Sequence, residues 1–183
     1  MILGMSVATF VIVHVVISLI AIVAGVIAMF GMLGSNRMPG LTAIFLLFTI
    51  LTSATGFVIP PLLTETLLPS HIFGILSFIL LAIACVALYA MNLAGAWRWI
   101  YVVTALLSLY LNVFVLVTQS FLKIPALTTL APGNPPAGPV FAVAQGIVLV
   151  FFVIMIIGAC RRFRPCDAVY PGHSGARGDA YPG

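Results

Sequence analysis

Charge is the scarcest property of this chain. Only 5% of its 183 residues are Asp, Glu, Lys or Arg, where a water-exposed domain carries about 25%. So few ionised groups cannot cover a water-facing surface, which excludes a soluble globular fold. Acids are scarcer still. Glu65, Asp167 and Asp179 are the whole set, and Glu65 alone lies outside the C-terminal tail. Conventional acid–base catalysis therefore lacks its parts. There is also no Ser or Cys nucleophile beside a base, and no Gly-rich phosphate loop. Three cysteines, Cys85, Cys160 and Cys166, make neither a disulfide framework nor a C-x-x-C zinc pattern. The net charge of +4 comes without a basic face interleaved with aromatics, which excludes nucleic acid as a partner.

What the sequence has in abundance is apolar length. Hydrophobic residues make up 63% of it, and the mean hydropathy is +1.31. A spanning helix needs about 20 mostly apolar residues, and five stretches qualify. They run from about Ser6 to Leu33, Leu41 to Ile59, His71 to Met91, Trp97 to Phe121 and Pro139 to Cys160. No basic residue precedes Arg37, and the first run is too long for the apolar core of a signal peptide. It is expected to be an uncleaved span. The fold class is thus all-α: a polytopic transmembrane bundle of five spans in contact with the lipid bilayer. Residues 1–160 form the membrane domain. Residues 161–183, rich in Gly, Pro and charge, have too little apolar material to fold alone and are expected to be a disordered tail. The segment "KIPALTTLAPGNPPAGP" between the last two spans carries prolines that predict an extended loop.

The few charges set the direction. With five spans, Arg37, Arg98, Arg161, Arg162, Arg164 and Arg177 all fall on one side, and Lys123 falls on the other with Glu65. The positive-inside rule then predicts an external N-terminus and a cytoplasmic C-terminus in a bacterial inner membrane. "GAWRWIY" fits as an interfacial anchor, with Trp97, Trp99 and Tyr101 at headgroup level and Arg98 within reach of lipid phosphate.

Depth along each span follows from direction. His14 lies about eight residues inward from Ser6, roughly 12 Å below the outer face. Thr52, Ser53 and Thr55 lie in the outer part of the second span, Asn112 and Gln119 in the outer half of the fourth, and Gln145 in the outer part of the fifth. His71 opens the third span. Polar side chains cannot face acyl chains cheaply, so these should point into the bundle and form a polar pocket in its outer half. His14, Ser18, Ala21, Gly25, Ala28 and Met32 follow steps of three and four on one narrow helix face that lets another helix approach. Thr104, Ser108, Asn112 and Gln119 share a stripe on the fourth span.

Such a pocket has two readings. In the first, its members hydrogen-bond between helices in a non-catalytic structural or accessory subunit, alone, with a second copy, or with another membrane protein. In the second, His14 and His71 hold haem b or a quinone in an electron-transfer component. No charged residue lies mid-span, which argues against an ion pathway.

The strings "TSATGFVIP", "LLPSHIFGILS", "GAWRWIYVVTALLSLYLNVFVLVTQSFLKIPAL" and "AQGIVLVFF" together resemble a group of uncharacterised small bacterial multi-pass inner-membrane proteins. The likeness covers about Val13 to Phe152. It implies the same layout, carries over no known activity or functional residue, and marks His14, His71, Asn112, Gln119 and Lys123 as positions to test. A first-span His followed by Gly also resembles haem-type membrane families. Those carry a further His at the start of the second span, where this chain has Leu41, Thr42 and Ala43.

Overall fold

The computed structural model describes residues 4–58 and 69–164, with side chains from Ile72 onward in the second stretch. The chain is all-α. Helix α1 covers Val7–Leu33, α2 Pro39–Gly56, α3 Pro69–Cys85, α4 Trp97–Lys123, α5 Pro125–Thr128 and α6 Pro139–Arg162. A π-helical turn, Val86–Ala90, prolongs α3 and leads into Asn92 and Leu93, both left-handed at φ 48° and 61°. Five of these segments are long and apolar enough to cross a bilayer. The chain is an integral, multi-pass membrane protein.

Local chemistry explains the helix ends. Ser6 caps α1, its hydroxyl accepting from the Thr9 N–H at 3.1 Å. Prolines open α2, α5 and α6 at a position where no backbone donor is needed. That rule corrects the expectation of a wholly extended loop after α4. Pro125 starts the single turn of α5, and Thr128 donates to the Phe121 carbonyl at 2.9 Å, folding the turn back onto the end of α4.

The core centres on α4, which packs against every other helix. Of its most apolar stretch 44% is buried, against 17% to 28% in the other four spans. Tyr101, Val102, Ala105, Leu106 and Leu109 are its inward face. They meet Met29 and Met32 of α1, Phe45 and Leu46 of α2, Leu81 and Ala84 of α3 and Ala159 of α6. The outward faces are apolar: Ile12, Val16, Val23 and Ile27 of α1, and Val143, Ile147, Val150 and Ile154 of α6, are exposed. This inside-out pattern suits a hydrocarbon solvent.

Where α1 crosses α2 and α4, small residues set the spacing. Ala21, Ala24, Gly25 and Ala28 are all buried, so the predicted face of α1 does meet its neighbours. A β-carbon on Gly25 would lie 2.6 Å from Leu109 Cδ1 and 2.7 Å from a Phe45 ring carbon. Nothing lies within 4 Å of one on Gly146.

The ends of the bundle differ in charge. The Arg164 N–H donates to Ser35 Oγ at 2.8 Å, and the Tyr101 and Phe163 rings are 6.1 Å apart. These contacts join the α1–α2 turn, the start of α4 and the end of α6. Arg37, Arg98, Arg161, Arg162 and Arg164 therefore share one end. Lys123 closes the opposite end of α4. Glu65, Cys166, His173 and Arg177 lie outside the described residues.

Gly25→Leu is expected to overpack this crossing and destabilise the bundle by about 1–3 kcal/mol. Gly146→Leu should leave the unfolding midpoint unchanged or slightly higher. Thermal unfolding in one detergent, followed by circular dichroism, measures both.

Candidate functional site

In the half away from the arginines, four polar pairs join one helix to another. Between α1 and α2, His14 Nδ1 lies 2.7 Å from Thr55 Oγ1. The Thr55 hydroxyl also lies 2.7 Å from the Leu51 carbonyl. A hydroxyl has one hydrogen, and a carbonyl can only accept it. With that hydrogen on Leu51, Nδ1–H donates to the Thr55 lone pair; with it on the ring, Nδ1 is the acceptor. In the first of these tautomers the Nε2 of the neutral imidazole carries a lone pair. The ring is partly buried, with Cε1 against Gly56. One turn on, Ser18 Oγ bonds the His14 carbonyl at 2.8 Å.

Between α2 and α3, the Ser53 hydroxyl donates to Ser77 Oγ at 3.1 Å, both residues buried. Between α2 and α4, the Asn112 amide donates to Thr49 Oγ1 over 3.4 Å, and Thr49 is fully buried. Between α4 and α6, Gln145 Nε2 donates to the Phe114 carbonyl at 3.1 Å and to Thr118 Oγ1 at 3.2 Å. Thr118 itself donates to the same carbonyl at 2.9 Å. Gln145 Oε1 and Thr52 Oγ1 are buried and take no hydrogen bond among the described residues.

On the arginine side the pattern changes. Thr104 bonds the Ile100 carbonyl and Ser108 the Thr104 carbonyl, each within α4. Thr42 bonds the Arg37 carbonyl in the adjoining turn. Thr104 and Ser108 turn back on their own helix, whereas Thr42 also bonds the Tyr101 side chain of α4. The four pairs above tie one spanning helix to another in the half away from the arginines.

Of the residues singled out in the sequence, His14, Ser53, Thr55, Asn112 and Gln145 take part in these pairs. Gln119 does not: it is exposed, one residue past Thr118. His71 is the third residue of α3, and its side chain lies outside the described residues. Thr49, Ser77 and Thr118 are partners that sequence reasoning missed. Thr49 was findable, since Thr42, Phe45, Leu46, Thr49 and Ser53 form one buried face of α2 at helical spacing. Among the described residues no three His, Cys, Asp or Glu side chains gather as a metal site.

Compared with known proteins, the chain matches no family model, no curated protein and no solved structure. The resemblance noted from its sequence strings extends no further than a five-span helical membrane protein.

The His14–Thr55 pair should show a coupling of about 0.6 kcal/mol, the average for hydrogen bonds between spanning helices. A double-mutant cycle with His14→Leu and Thr55→Val, read by unfolding in mixed micelles, measures it. Gln119→Leu in the same assay should leave stability unchanged.

Proposed function

We propose that the chain is a non-catalytic structural or accessory subunit of a bacterial inner membrane, with its N-terminus outside and residues 161–183 in the cytoplasm. The observation that carries this reading is the pairing of polar side chains. His14, Ser53, Asn112 and Gln145 each bond a residue of another helix, which is the work of a scaffold. The orientation rests on five arginines at one end of the bundle and Lys123 at the other. The apolar outward faces of α1 and α6 suit lipid, a second copy or another membrane protein as neighbours.

A second reading draws on one observation. His14 has one nitrogen held by Thr55; in the tautomer that donates from it, the other nitrogen has the lone pair with which a histidine ligates a metal or receives a hydrogen bond. In that reading His14, with His71, holds haem b or a quinone in an electron-transfer component.

The visible spectrum and organic extract of protein purified from bacterial membranes separate the two. The scaffold reading predicts no Soret band, and no more quinone in the extract of the wild type than in that of His14→Leu. A Soret band or a co-purifying quinone that disappears in His14→Leu would overturn it in favour of the second.

A further inference from the structure

The arginine end carries positive charge that no carboxylate among the described residues balances. Arg37, Arg98, Arg161, Arg162 and Arg164 gather there, and the described residues include no Asp or Glu. No carboxylate among them can neutralise any of the five. Two arginines, Arg161 and Arg162, are exposed in the last turn of α6. Arg164 is held beside the α1–α2 turn through its own backbone bond to Ser35.

Arg98 is the most telling of the set. It lies in the first turn of α4 and is partly buried, and its Nε is enclosed with no hydrogen-bond partner among the described residues. Tyr101, one turn further along the same face, meets Phe163 beyond the end of α6. The start of α4 and the end of α6 thus meet beside Arg98. An unpaired buried donor on a charged group costs more than an ordinary unmade hydrogen bond. A long arginine side chain can carry its charged head to the edge of a bundle while its stem stays among apolar groups. Beside it Trp99 is 50% exposed, a residue type that favours the headgroup level. The acceptors abundant at that depth are phospholipid phosphates, and a guanidinium pairs with phosphate through two parallel N–H donors.

We propose that this end holds the phosphodiester of an anionic phospholipid, seated between the start of α4 and the end of α6. Arg98 is its anchor, and Arg161 and Arg162 select for the second negative charge or the unshielded phosphate. A zwitterionic headgroup brings its own cation into the same cluster and is disfavoured. The site does not depend on the scaffold reading, nor on which face of the membrane the arginines occupy.

Native mass spectrometry of the full-length protein, given equal amounts of phosphatidylglycerol and phosphatidylcholine with matched acyl chains, tests this. The wild type should retain phosphatidylglycerol in preference. Arg98→Gln should lower the preference about fivefold, the value for one basic group near an anionic surface. The double variant Arg161→Gln/Arg162→Gln, at exposed positions that tolerate exchange, should lower it further. Lys123→Gln, at the far end, should match the wild type. An unchanged preference in the double variant, or an equal fall in Lys123→Gln, would overturn the proposal. Loss of the bound lipid to an excess of inorganic phosphate would also overturn it, by making a soluble phosphate the ligand.

Discussion

The constraint on which this structure depends is the cost of putting a guanidinium in hydrocarbon. A charged side chain at the bilayer centre is so unfavourable that five arginines must sit at water-facing edges. They sit at a single edge, and five consecutive apolar helices are the arrangement that puts them there. The threading then sets depth. The start of α1, the end of α2, the end of α4 and the start of α6 come to the opposite half, and the polar residues on those segments come with them.

The same solvent dictates what those residues do. A hydroxyl or amide facing acyl chains loses its water and finds no replacement. Serine and threonine can bond the carbonyl one turn back in their own helix, as Thr104 and Ser108 do. Asparagine, glutamine and histidine need a partner elsewhere, and Asn112, Gln145 and His14 each find one across a helix interface. α2 is central to the result: its Thr49, Ser53 and Thr55 meet α4, α3 and α1 in turn. Close packing by Gly25 and its alanine neighbours draws α1 and α2 near enough for such short side chains to touch.

Much of this was legible in the sequence. The spans follow from apolar length, the charged edge from counting arginines, and the inward face of α1 from steps of three and four. Periodicity identifies which face of a helix is buried but not which helix lies opposite, so Ser77 and Thr118 were not recoverable as partners. Gln119 shows the limit most clearly. It is seven residues past Asn112 and points nearly the same way, yet it is exposed. Thr49 stands level with Asn112, and α2 ends at Gly56, seven residues beyond Thr49. The helix that covers Asn112 has therefore stopped by the level of Gln119. Element length, not azimuth, decides its surroundings. The turn of α5 was missed because prolines were weighed as helix breakers at a site where Pro125 starts one.

The threading is tested most directly by cysteine accessibility. In a background without native cysteines, Asn36→Cys marks the turn between α1 and α2, and Asn134→Cys marks the connection before α6. A membrane-impermeant maleimide applied to sealed right-side-out vesicles should label the position-134 variant at once, and the position-36 variant only after the membrane is opened. Labelling of both in sealed vesicles, or of position 36 alone, would contradict the account.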